Sequence, residues 1–200
     1  MSAHPPVLLV HGIWDRSTKL ERLRDVLARS GLGMVRAIDL EPNDGRAPIR
    51  ALAEQVHAAA EALRTETGSA QLDLVGFSMG ALVSRTYLQF LGGKRVVRRF
   101  VSISGPHAGT WSAYALPFDG TRDMRPRSAL LTALAADPDP WGDCEVHVLY
   151  TPFDLMIVPA RSSELAGART TTRVPLPLHR LMILHPRATG RVAALLADGT

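Results

Sequence analysis

A chain of 200 residues, 46% hydrophobic and 21% charged, is long enough to bury roughly 70% of its unfolded surface, and this ordinary composition excludes a disordered or fibrous class. The formal net charge of +4 is scattered. Its densest cluster, Lys94, Arg95, Arg98 and Arg99, lacks interleaved aromatics and reads as a solvated face, which argues against a nucleic-acid partner or an anionic-membrane patch.

The chain opens with His4-Pro5-Pro6 running straight into the apolar residues 7–10, without the basic stretch and apolar core of a leader. No segment approaches the ~20 apolar residues of a membrane span. The single cysteine, Cys144, excludes an intrachain disulfide. The expectation is a cytoplasmic protein held by packing alone and without stable membrane insertion.

Short apolar runs then alternate with segments of helical period, the pattern of a parallel sheet covered by helices on both faces. The expected strands are residues 7–10, 35–40, 72–77, 100–104, 146–150 and 172–176, mostly apolar without strict alternation, as doubly buried strands are. A proline interrupts the last. Between the first two, Leu20, Leu23, Val26 and Leu27 form a helical stripe, with Thr18 and Glu21 at capping-box spacing and Gly31 as the stop. A second stripe runs through Ile49, Leu52, Val56, Ala60 and Leu63, opened by Pro48 and stopped by Gly68.

Residues 81–91 are apolar on most sides, which predicts a buried helix ended by Gly92-Gly93. Residues 106–142 break the rhythm with prolines, glycines and two tryptophans, and read as an insertion with one helix, near 128–136. Pro186 opens a last helix facing the core through Val192, Leu195 and Leu196. Without repeats or an interdomain linker, the expectation is one α/β domain over residues 1–200, with about six mostly parallel strands.

Gly76-Phe77-Ser78-Met79-Gly80 joins an expected strand to a buried helix, the context that the G-x-S-x-G motif requires. A serine at so sharp a turn is strained, two small neighbours let helix and strand approach it, and the helix N-terminus favours developing negative charge. Ser78 is therefore the candidate nucleophile. A serine hydroxyl needs a base, and the base needs a partner that fixes its tautomer.

Around this motif the acid and then the base follow the serine along the chain, leaving His107, His147, His179 and His185 among seven histidines. His147 falls within a strand and His107 comes too early. His179, just past the last strand at the edge where strand C-termini put their loops, is preferred to His185. Asp154, in the loop after the fifth strand, is the candidate acid, with a turn aspartate capping its own backbone as the alternative. The oxyanion requires two donors, each typically worth about 10²–10³ in rate. One is the backbone N–H of Met79, and the other that of Ile13 in His11-Gly12-Ile13-Trp14. His11 itself reads as a brace for its loop.

No CxxC, HExxH, carboxylate cluster, GxGxxG or Walker pattern occurs, so neither a metal nor another cofactor is expected. Trp14, Trp111, Tyr114, Leu116, Phe118 and Met156 are candidates to line an apolar acyl pocket.

The motifs also carry a resemblance. Val10-His11-Gly12-Ile13 looks like an oxyanion loop, Leu74-Val75-Gly76-Phe77-Ser78-Met79-Gly80 like a nucleophile elbow, and Pro106-His107-Ala108-Gly109-Thr110 like the PHxGT turn of many lipases. Residues 150–159 are similar to the segment that carries the acid, and Leu178-His179 to the one that carries the base. Nearly end to end, the chain resembles the small bacterial lipases and esterases of the α/β-hydrolase superfamily. The resemblance implies a minimal α/β-hydrolase fold without the antiparallel opening strands of larger relatives. It implies the same residues: Ser78, Asp154 and His179, with oxyanion donors Ile13 and Met79. Two positions depart from it: Ala81 stands where a second glycine commonly follows the elbow, and Arg127 where a glycine is expected.

The expected activity is hydrolysis of a small-molecule or lipid carboxylic ester through an acyl-enzyme, with transient contact with a lipid interface. A thioesterase or amidase using the same residues is one alternative, and a catalytically silent binding protein with this fold is another. Acyl chain length, oligomeric state and any lid motion of the insertion stay open.

Overall fold

In the computed structural model, which describes residues 4–197, the apolar runs pair as one six-stranded sheet. Its strands are β1 (Val7–Val10), β2 (Val35–Ile38), β3 (Leu72–Phe77), β4 (Val97–Ile103), β5 (Glu145–Tyr150) and β6 (Thr170–Arg173). They lie in the order β2-β1-β3-β4-β5-β6, every neighbouring pair parallel. The ends of the expected 1–200 unit, residues 1–3 and 198–200, lie outside the described residues.

Because side chains alternate across a strand, each run feeds two cores. Leu8, Leu74 and Phe100 point to the face covered by α2 (Ile49–Thr67) and α3 (Met79–Phe90), against Leu52, Val56, Leu82 and Tyr87. Leu9, Val75 and Ile103 point to the other face, covered by α1 (Glu21–Arg29) and α6 (Pro186–Ala197), against Leu23, Leu27, Val192 and Leu196. Burial on both sides is why these strands read as continuous apolar runs. Truncating one such leucine to alanine costs about 2–5 kcal/mol.

Several local expectations need correction. β4 starts three residues earlier than expected, at Val97, because a bulge lets Leu72 face Val97 while Asp73 faces Arg99. The extra residue, Arg98, breaks the apolar pattern and hides the start of the strand. Arg98 and Arg99 are consequently no solvated face. Arg98 donates twice to the fully buried Asp73, at 3.0 and 2.6 Å, and Arg99 donates to Glu145 at 3.0 Å and to the Leu196 carbonyl at 3.0 Å.

β6 ends at Arg173 instead of 176, since Pro175 has no N–H to continue the ladder. The capping box before α1 does not form. Thr18 lies inside a 3₁₀ turn, Ser17–Leu20, and no side chain caps the helix. Gly68 does stop α2, at φ 64° in the left-handed region.

The insertion carries more structure than the single expected helix. A 3₁₀ turn (Trp111–Ala115) and the short α4 (Asp119–Asp123) precede α5 (Ala129–Ala135), and both are too short to show a period in sequence. Ser128 caps α5 by accepting the N–H of Leu131 at 3.2 Å. Asp123 ties the insertion to the main fold by accepting the first N–H of α2, that of Ile49, at 2.9 Å.

Candidate active site

Ser78 sits between β3 and α3 with φ 56° and ψ −126°, a conformation that costs a non-glycine residue about 1–3 kcal/mol and persists only where the surroundings enforce it. They do so here: the Ser78 N–H is held by the Ile103 carbonyl at 2.9 Å, and the Ser78 carbonyl accepts the N–H of Ala81 at 3.0 Å. A Cβ on Gly76 would lie 2.6 Å from Ala81 Cα, and one on Gly80 would strike the Val10 and His11 carbonyls. Both glycines of the elbow are thus required by backbone contact. The alanine at 81 is accommodated because its methyl occupies space left by Gly105, where a Cβ would come within 2.7 Å of it.

The loop after β1 folds over the serine. A Cβ on Gly12 would lie 2.9 Å from Ser78 Cβ, so only glycine lets the loop come this close. His11 braces it: Leu40 N–H donates to Nε2 at 2.9 Å, and Nδ1 faces the Gly12 carbonyl at 2.8 Å. Nε2 must therefore be the acceptor, which leaves Nδ1–H as the donor. The N–H groups of Trp14 and Asp15 bond to the Asn43 and Gly12 carbonyls, whereas those of Ile13 and Met79 have no acceptor among the described residues.

On the opposite side, Asp154 is buried and divides its oxygens. Oδ1 accepts the N–H groups of Met156 and Ile157, each at 2.9 Å, and Oδ2 lies 2.6 Å from His179 Nδ1. It is a turn aspartate and a histidine partner at once. His179 opens a 3₁₀ turn, His179–Ile183, and its ring packs on Phe77, centroids 4.7 Å apart. Its Nε2 is buried without a hydrogen-bond partner among the described residues. The structure thus gathers Ile13, Ser78, Met79, Asp154 and His179 at the C-terminal edge of the sheet, and no hydrogen bond joins Ser78 to His179 directly. Catalytic hydrogen bonds in substrate-free enzymes are often long and tighten only once substrate is bound.

The other histidines are engaged elsewhere. His185 accepts the N–H of Arg187 at the start of α6, and His147 bonds Thr170 across the sheet. His107 bonds Ser102 at 2.6 Å, and burial, with the charge of Arg85, holds it well below its ordinary value of 6.5.

Of the six expected lining residues, Trp14, Leu116 and Met156 line the slot beside Ser78. Trp111 and Tyr114 instead stack on each other in the open, and Phe118 lies beneath the Arg46 guanidinium. Asp15 precedes the serine and so falls outside the chain order, acid after serine, that selects Asp154. The fold nevertheless brings its carboxylate to the site, where Oδ2 and Ser78 Oγ flank the same side of Gly12. Burial raises its pKa against the opposing charges of Lys19, His11 and His179. The tight HGIWD turn was the sequence signal available for it.

A family model described as palmitoyl protein thioesterase matches residues 6–137. The match includes the loop after β1 and Ser78 and ends before Asp154 and His179. Lysosomal thioesterase PPT2 of Mus musculus is 32% identical over 111 residues, 54% of this chain and 36% of that protein. For the Homo sapiens protein the identity is 31% over 112 residues, 55% and 36% of the two chains. The match therefore spans little more than a third of the length of these relatives. Among solved structures, Bacillus licheniformis lipase BlEst2 in its mature form has a TM-score of 0.80 at 16% identity, covering 98% of this chain and 93% of that one. Aspergillus fumigatus lipase B has a TM-score of 0.82 at 17% identity, covering 98% and 53%. At those identities the likeness is one of fold, the α/β-hydrolase fold. With the family match spanning well over half of its residues, the chain belongs to the palmitoyl protein thioesterase family.

Proposed function

We propose that this protein is a serine hydrolase that cleaves carboxylic esters through an acyl-enzyme. The observation that carries the reading is His179, bonded to Asp154 through Nδ1 and packed on Phe77 beside the nucleophile, with its second nitrogen buried and free. Nε2 takes the proton of Ser78 as Oγ adds to the carbonyl carbon, and Asp154 fixes the tautomer and stabilises the imidazolium. The free N–H groups of Ile13 and Met79 receive the oxyanion. Nε2 then protonates the leaving group. In the second half, water gives its proton to Nε2, attacks the acyl-enzyme, and releases a carboxylic acid and Ser78.

The family match and the thioesterase names of the curated relatives favour a second reading, in which the same residues cleave thioesters. The substrate class in either case is a small-molecule or lipid acyl compound. Transient lipid contact is supported by Trp14, Trp111, Phe153, Leu155 and Leu178, all exposed in the segments that follow the C-terminal ends of the strands. No helix among the described residues is long and apolar enough to cross a membrane.

Ser78→Ala is expected to lower kcat on p-nitrophenyl esters by roughly 10⁴-fold or more and to abolish covalent labelling by a fluorophosphonate. Turnover near the wild-type level would overturn the assignment, and a wild-type protein that forms no adduct would be a binding protein. Rates on matched ester, thioester and amide substrates decide between the two readings.

A further inference from the structure

Two hollows flank the nucleophile, and the path of the proton decides what each receives. The first is a slot of about 70 Å³ with Ser78 in its wall, closed by Ile13, Leu116, Met124 and Met156. The second is a groove of about 490 Å³ that has His179 in its wall, with Phe77, Leu155, Leu178 and Ile183. His179 does not line the slot, and Ser78 does not line the groove. A base that takes the serine proton must hand it to the departing alcohol or thiol, so the leaving group lies on the His179 side. The acyl carbon is bonded to Ser78 Oγ in the intermediate, and its chain extends into the hollow that Ser78 lines.

We propose that the slot holds the acyl chain and the groove the leaving group, so that the preferred substrate is a short-acyl ester or thioester of a bulky apolar alcohol or thiol. The proposal rests on the serine-hydrolase reading. An apolar cavity of about 150 Å³ holds a six-carbon ring, so a slot of about 70 Å³ takes a tail of about three or four carbons. The groove, at about 490 Å³, is as large as the pockets that bury whole small molecules, about 300–1,000 Å³.

The slot is also fastened shut. Arg125 donates to the carbonyls of Ala113 at 3.3 Å and Leu116 at 2.9 Å, and the hydroxyls of Thr110 and Ser112 donate to the Met156 carbonyl at 2.9 and 2.6 Å. A palmitoyl chain entering here would have to break this set of bonds. The groove has no such cover, and Leu155 and Leu178 stand exposed along it.

The test measures kcat/KM in two series, each run as esters and as thioesters: acetyl to palmitoyl on one leaving group, and acetyl on phenyl against biphenyl leaving groups of similar acidity. The expected optimum is a propionyl or butyryl chain, with at least a tenfold fall by octanoyl, and biphenyl acetate is expected to outpace phenyl acetate. Leu116→Ala should move the chain-length optimum up by about two carbons, and Leu116→Trp should penalise butyryl more than acetyl. Leu155→Ala, at an exposed position, should weaken the biphenyl preference and leave the chain-length profile in place. Rates that rise toward palmitoyl, or a chain-length optimum moved by Leu155→Ala and not by Leu116→Ala, overturn the partition alone. Absence of turnover throughout, with no fluorophosphonate adduct on Ser78, overturns the hydrolase reading itself.

Discussion

The Thr151 hydroxyl holds Leu176 from both sides, donating to its carbonyl at 2.5 Å and accepting its N–H at 3.3 Å. Thr151 stands three residues ahead of Asp154, and Leu176 three ahead of His179. This one side chain sets the spacing of the two loops that meet as the acid–histidine pair. Thr151→Val keeps the shape and leaves the buried Leu176 carbonyl unpaired, while the Leu176 N–H keeps the Val174 carbonyl at 2.8 Å; an unpaired buried group costs about 1–3 kcal/mol. Thermal unfolding is expected to show that loss, and kcat is expected to drop about tenfold with little change in KM. Thr151→Ser should restore both, and a valine variant with wild-type kcat would refute the positioning role.

His107 makes stability depend on pH. It is fully enclosed, and burial first, then Arg85, keeps it neutral in the folded protein well below 6.5. The unfolded chain protonates a histidine near pH 6.5. As the pH falls below about 6.5, the unfolded state binds a proton that the folded state refuses, and stability declines by up to about 1.4 kcal/mol per unit until the folded pKa is reached. Urea unfolding at pH 7, 6 and 5 should show a steeper loss for the wild type than for His107→Gln, whose amide can still meet Ser102. His147, also lowered by burial, is present in both proteins and cancels from the comparison. Equal slopes would rule out His107 as the source.

Arg127 occupies the left-handed region at φ 62°, at the position where the resemblance to lipases leads one to expect glycine. Left-handed backbone costs a residue with a Cβ about 1–2 kcal/mol, and glycine returns part of that relief through its more flexible unfolded state. Arg127→Gly is expected to stabilise the fold by about 0.5–1 kcal/mol, raising Tm by about 1–3 °C for a chain of this size. A lower Tm would mean that the exposed guanidinium makes a contribution of its own.

What the sequence revealed and what it concealed divide along contact range. Gly68 ending α2 was legible because its partners lie within a few residues. The strand, turn and helix around Ser78 were legible for the same reason. The bulge that starts β4 was not, since it depends on Asp73 drawing in Arg98 and Arg99 from another strand. Chain order singled out Asp154 and His179 as candidates, but their approach to 2.6 Å depends on Thr151 and on the register of β5 with β6. The same range effect hid Asp15, which chain order excluded and the fold returned to the site, and it misplaced Trp111 and Tyr114, whose aromatic character says nothing about which way the insertion turns them.

The insertion is fastened to the loop that carries the acid. Thr110 bonds the Met156 carbonyl and the Val158 N–H, each at 2.9 Å, and Ser112 adds a second bond to Met156. A cover attached two and four residues beyond Asp154 cannot swing like a door without dragging the carboxylate away from its histidine. Moving the insertion therefore means moving the loop of Asp154, and with it the 2.6 Å approach of Asp154 to His179.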